Sequence, residues 1–162
     1  MKTISRLLAF VLLAAPAAWA AEPVFEIHAV AKHPGPTTQK SLQAAREGGQ
    51  PEKLFLEPEV LFDAAGLLSA EANTDSGGSS IHLVFSADGK KRFGEITTQY
   101  LHERLAILID GEVRCAPVVQ SPILGGDLVI SGNFTADEAG KLAADLNAAV
   151  KAAAAAATPG NP

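Results

Sequence analysis

The run Leu105-Ala106-Ile107-Leu108-Ile109 constrains this chain more than any other stretch. Consecutive apolar residues with no polar alternation suit a central strand. Asp110-Gly111 follows directly. Both residue types tolerate the positive φ of a tight hairpin, so Val113 to Val119 is predicted to return as the partner strand. Pro117 lies inside that return; lacking an N–H, it implies an edge position or a bulge.

The flanking segments are patterned as clearly. Ser80 to Ser86 alternates, placing Ile81, Leu83 and Phe85 on one face of a strand. Ser86 is positioned to cap a helix running through Glu103, with Phe93, Ile96 and Tyr100 along one side. Ile123 to Asp127, carrying Gly125-Gly126, turns the chain into a strand over Leu128 to Ser131, which Gly132-Asn133 ends. Thr135-Ala136-Asp137-Glu138 is a capping box, in which hydroxyl and carboxylate each accept from an orphan amide. The helix it opens puts Ala139, Leu142, Ala143, Leu146 and Val150 on one stripe, and Ala152 to Ala157 can prolong it. Strand, helix, hairpin, strand, helix reads as α+β, a largely antiparallel sheet with two main helices packed on one face. The other face, where uncovered, marks a binding surface.

The N-terminal half is less regular. Phe25 to Ala31 reads as a strand stopped by His33-Pro34-Gly35-Pro36. Thr38 to Glu47 is predicted as a short polar helix, although its apolar face is little more than Leu42 and Ala45. Leu54 to Glu57 and Leu67 to Thr74 are short strands, with one helical turn at Asp63-Ala64-Ala65-Gly66 between them, and Asn73 to Ser80 is a polar loop. The extreme N-terminus has the layout of a secretory signal: Lys2 and Arg6, then the apolar Leu7 to Ala15, then Ala18-Trp19-Ala20. An apolar helix of that length reaches about 14 Å, half of a ~30 Å hydrocarbon core, so cleavage after Ala20 is expected rather than anchoring. Export to the periplasm or beyond follows.

Several function classes fall away. Asp and Glu, 18 in all, outnumber Lys and Arg, 13 in all, and no segment clusters bases into a phosphate-tracking stripe, so a nucleic-acid partner is not expected. The single Cys115 makes no internal disulfide, and its apolar neighbours suit a buried, inert thiol. His28, His33, His82 and His102 show no metal-ligand spacing; the first, with His82, suits a strand, and His102 a helix surface. No Gly-x-Ser-x-Gly elbow and no Gly-rich nucleotide loop occurs. Asp137 with Glu138, and Glu57 with Glu59, suit helix-cap and solvent-face positions. The residues themselves therefore call for no catalytic group, metal or cofactor, and point to an exported binding or structural module.

Arg104-Leu105-Ala106-Ile107-Leu108-Ile109-Asp110-Gly111-Glu112-Val113, then Ala116-Pro117-Val118-Val119, then Ile130-Ser131-Gly132-Asn133-Phe134-Thr135, resembles a protein-export family. The chain is similar to the head subdomain of the first large periplasmic domain of SecD, an accessory subunit of the Sec translocase. Cys115 stands where that family commonly carries a small hydroxyl residue. With the residue patterns above, the resemblance divides the chain into a signal over 1–20, an N-terminal strand with linker or short helix over 21–53, a SecD-like head over 54–150, which is the part the resemblance covers, and an Ala-rich frayed tail over 151–162. It implies a mobile lobe that holds emerging polypeptide, here without the spanning helices of a proton-driven motor. The expected partners are polypeptide or envelope proteins, Sec translocase components among them. The candidate polypeptide-binding edge comprises Val113, Ala116, Pro117, Val118, Val119, Ile123, Gly125 and Gly126. An alternative is a module that docks on one specific envelope complex.

Overall fold

The computed structural model describes residues 24–43, 52–75 and 78–157. The signal segment and residues 158–162 lie outside the described residues. In chain order the strands are β1 (Phe25–Ala29), β2 (Gln39–Gln43), β3 (Glu52–Leu56), β4 (Phe62–Asp63), β5 (Leu67–Asp75) and β6 (Gly78–Phe85). Helix α1 (Ala87–Gln99) follows, then β7 (Leu105–Ile109), β8 (Glu112–Cys115), β9 (Asp127–Phe134) and helix α2 (Ala136–Ala157). The α+β class holds, and all but one of the strand pairings are antiparallel, the exception being β2 with β8.

The single sheet of the sequence reading is in fact two. One has the order β3-β2-β8-β7-β1-β4, the other β5-β6-β9. The first rolls back on itself where Val30 bridges Leu56: Ala31 N donates to Phe55 O at 2.7 Å and Glu57 N donates to Ala29 O at 2.9 Å. The ring β3-β2-β8-β7-β1 is thereby closed at the ends of β1 and β3. Its interior holds Leu54, Leu56, Ala106, Leu108, Val113 and Ala116.

β7 explains why the ring and the rest of the molecule form one body. All five of its residues are buried. Ala106 and Leu108 point into the ring, while Leu105, Ile107 and Ile109 point into the main core with Phe25 and Ile27 of β1. That main core is completed by Ile81, Leu83 and Phe85 of β6, Phe93 and Ile96 of α1, and Ala139, Leu142 and Leu146 of α2. Both helices therefore cover one face of the three-stranded sheet.

Local signals account for the element ends. Ser86 Oγ accepts from Gly89 N at 3.0 Å to start α1. Asp63 Oδ1 accepts from Ala65 N at 3.0 Å over a 3-10 turn at Ala64–Gly66. Thr135 N donates to Glu138 Oε2 at 2.8 Å and Glu138 N donates to Thr135 Oγ1 at 3.2 Å, the expected capping box. Asp110 and Gly111 both have positive φ, 52° and 74°, as the β7–β8 hairpin requires.

Five local expectations are corrected. Residues 39–43 form a strand, not part of a helix over Thr38 to Glu47, because pairing with β3 satisfies a backbone that had no apolar stripe to pack as a helix. Residues 73–75 and 78–80 are strand rather than loop: β5 and β6 pair through Asn73↔Ser80, Thr74↔Ser79 and Asp75↔Gly78, and residues 73–75 are polar because that end of β5 is exposed. α1 stops at Gln99, and His102 sits beyond it at φ 65°, its N–H donating to Val119 O at 2.8 Å rather than continuing the helix. β8 ends at Cys115 and lies between β2 and β7, so Val113 to Val119 is neither one strand nor an edge. A register shift opposite Ile107 and Leu108 bulges the strand at Arg114, and Pro117 follows the strand end, its carbonyl accepting from Leu105 N at 3.1 Å. Lastly, Gly132-Asn133 does not end β9. The pairing skips from Ser80↔Ser131 to Ser79↔Phe134, which makes that dipeptide a bulge.

Candidate functional site

Between the two sheets lies an apolar cleft of about 350 Å³. Ile27, Leu105 and Ile107 form its floor, Phe93 and Thr97 of α1 one wall, and Leu128 with Val129 of β9 the other. Its rim is the connection from β8 to β9, through Pro117, Val118 and Ile123. Val118 and Val129 are 42% and 54% exposed, so the mouth is apolar as well as the floor. β9 is the end strand of its sheet, so a strand edge runs beside this mouth. At the opposite edge, Asn147 of α2 donates to Ala70 O at 2.8 Å and accepts from Ala70 N at 2.9 Å, which covers β5.

The rim begins from a fixed point. Arg104 Nε donates to Ala116 O at 3.0 Å, while its Nη1 and Nη2 donate to the two carboxylate oxygens of Glu52 at 2.7 and 2.9 Å. This bidentate bond holds the Glu52 carboxyl below the usual carboxylate range and raises Arg104 further. Val119 N donates to Glu103 O at 2.9 Å.

The candidate edge residues separate into two groups. Val113 and Ala116 are buried inside the ring and Val119 in the main core, all at 7% exposure or less, so they shape the rim from beneath. Pro117, Val118 and Ile123 line the cleft itself, and Val119 reaches it from the core. Gly125 and Gly126 lie at the far end of the rim, where Gly126 takes φ 90°. The wall residues Phe93, Thr97, Leu128 and Val129 are absent from that set. Phe93 carried only a helix-stripe signal, and nothing local marks Thr97 or Val129, which meet the cleft because two sheets converge there.

The lining can bury apolar groups and has polar side chains at Gln120 and Ser121, the Thr97 hydroxyl being engaged within the protein, but it presents no carboxylate, imidazole or thiol. Among the described residues no group of three His, Cys, Asp or Glu is close enough to hold a metal ion. His28 is buried in β1, its Nδ1 at 2.9 Å from Glu57 O and its Nε2 at 3.3 Å from Glu26 Oε2. His82 lies on β6 with Nε2 at 3.2 Å from Asp127 Oδ2, and Cys115 is half-buried against the main core rather than sealed in it.

The fold is thus an α+β lobe with an apolar hollow between its two sheets, whose lining can take up apolar groups only by shape and burial. The chain belongs to the SecDF P1 head subdomain family, whose model matches residues 39–152. It is 44% identical over 96 residues to the protein translocase subunit SecD of Elusimicrobium minutum, covering 58% of this chain and 20% of that protein. It is also 37% identical over 119 residues to the protein translocase subunit SecDF of Thermus thermophilus, covering 67% of this chain and 16% of that one. Among solved structures, SecDF in its super-membrane-facing form superposes with a TM-score of 0.62 at 30% identity, over 78% of this chain and 19% of that one. A chain of SecDF described as a membrane component that enhances protein export superposes at 0.60 and 29% identity, over 78% of this chain and 62% of that one. The chain thus spans a fifth or less of the length of the curated relatives named here.

Proposed function

We propose that this protein is a periplasmic, non-enzymatic module that holds extended polypeptide, in late export or envelope protein handling, without a proton-driven motor of its own. The observation that carries the reading is the apolar cleft between the sheets, with Val118 and Val129 at its mouth. An extended chain has alternating side chains, which can enter the cleft, and a row of backbone groups, which can pair with the edge of β9. The backbone over Val113 to Val119 is already engaged, β8 by β2 and β7 and residues 117–119 by residues 103–105, so strand addition is assigned to β9 instead. Among the described residues no helix is long and apolar enough to cross a membrane. Family membership and the relatives' part in protein translocation support the same reading.

Burying one large apolar side chain is worth about 1.5–3 kcal/mol, and association costs several kcal/mol in lost freedom. Two or three buried side chains therefore give weak, reversible holding, as suits a client that must move on. Titration of the folded protein with an unfolded precursor is expected to show binding at tens of micromolar, and Val129→Asp to weaken it about tenfold or more. Absence of binding at that concentration, or crosslinking in cells to one dominant folded partner, would overturn the proposal.

A further inference from the structure

The far half of the rim, residues 120–125, has few ties to the body. It is bracketed by two fixed posts: Val119, bonded to Glu103 O and His102 N, and Gly126, whose carbonyl accepts from Phe85 N at 2.9 Å. Between these posts, among the described residues, one hydrogen bond reaches the body, from Ile123 N to Thr97 Oγ1 at 2.9 Å. Thr97 is fully buried in α1, and its hydroxyl donates to Phe93 O at 2.8 Å, so its lone pair is aimed at the strap by a helix bond. The side chains on either side of that bond diverge. Ile123 turns inward to the main core, while Leu124, 65% exposed, lies along α1 over Gly94, where a Cβ would come within 3.0 Å of Leu124 Cδ2.

Resting on the reading of the cleft as the polypeptide-binding surface, we propose that residues 120–126 are a hinged strap latched by the buried Thr97 hydroxyl on the Ile123 amide, and that unlatching opens the cleft to its ligand. One neutral hydrogen bond contributes about 0.5–1.5 kcal/mol net, and Leu124 leaves most of its surface in water, so the strap opens at far lower cost than the fold. Gly126, at φ 90°, supplies a hinge that another residue type would strain. The strap also separates two hollows, the 350 Å³ cleft and a 630 Å³ groove along α1 lined by Lys90, Lys91, Glu95 and Leu124. Lifting it joins them and uncovers Phe93 and Leu128. Thr97 is thus a positioning residue.

The test compares the full chain with Thr97→Val, which keeps the shape and removes the acceptor, and Thr97→Ser, which keeps the acceptor. By NMR hydrogen exchange, the Ile123 amide is expected to exchange at least tenfold faster in Thr97→Val, with Ile81 and Ile107 unchanged and Thr97→Ser at the wild-type rate. Anilinonaphthalene sulfonate, an apolar dye, is expected to bind Thr97→Val several-fold better than wild type. Equal Ile123 exchange in all three proteins overturns the latch, and equal dye binding overturns the opening. If the wild type binds no unfolded precursor, the polypeptide reading fails, while the strap is still decided by the exchange and dye measurements. Loss of protection at Ile81 and Ile107 in Thr97→Val would mean a general loss of packing, and would overturn the latch unless Gly126→Ala, which strains the hinge and displaces the flexible Lys90 side chain, changes dye binding with Ile81 and Ile107 still protected.

Discussion

Two glycines and one amide show how single residues decide this packing. A Cβ at Gly89 would fall on the Gly66 carbonyl oxygen, which also accepts from Ser86 N and Ser86 Oγ at 3.0 and 3.2 Å. The backbone there cannot yield without losing the α1 cap, so Gly89→Ala is expected to cost about 3 kcal/mol, read from urea unfolding. Asn147 satisfies both backbone groups of buried Ala70 across 77 positions of sequence. Asn147→Ala leaves them with no partner from α2 and is expected to cost about 1–3 kcal/mol by the same measurement. The Glu52–Arg104 bridge sets a pH signature. Glu52 ionises at lower pH in the folded chain than in the unfolded one, because of its hydrogen bonds to Arg104. Its contribution is therefore full above the ordinary carboxylate range and lost as pH falls through the lowered value. With the Glu52 side chain 53% exposed, the contribution is screened to about 1 kcal/mol or less. The stability gap between wild type and Arg104→Gln should accordingly narrow below about pH 4.

At the scale of elements, β7 is the piece on which both cores depend. Ile107→Ala and Leu108→Ala remove methyl groups from opposite faces of one strand, and each is expected to destabilise the protein by about 2–5 kcal/mol in thermal or urea unfolding. Val129→Ala, at the cleft mouth, should stay within about 0.5 kcal/mol. A large effect at Ile107 and a small one at Leu108 would contradict the buried ring. α1 divides its work: Phe93 and Ile96 pack the core, whereas Gly94 and Thr97 seat the strap. An inward threonine in a helix reads locally as a tolerated polar residue that bonds its own helix, and the Thr97 hydroxyl accepts a bond from outside α1 only when residues 120–126 fold over it.

For the whole molecule, the ring is the prediction that matters most. If β3 and the end of β1 close it, the amides of Ala31 and Glu57 should exchange within about tenfold of those of β7, and loop-like exchange at both would show the ring open. Closure also brings the hairpin of β2 and β3 into the same body as β7. The family match, beginning at residue 39, includes that hairpin. The sequence by itself determined what rests on near neighbours: the Asp110-Gly111 turn, the Ser86 and Thr135 caps, the central apolar run Leu105–Ile109, the stripe of α2 and the family likeness of residues 104–135. Those features depend on φ preference, on side chains within a few positions and on hydrophobic period, all of which are written locally. Tertiary structure alone decided that there are two sheets, that β8 is internal, that residues 39–43 are extended and that a cleft opens between Ile27, Phe93 and Val129. Backbone hydrogen bonds are common to every residue type. Which strand edges meet is therefore set by how the whole apolar surface is buried, and no single segment carries that information.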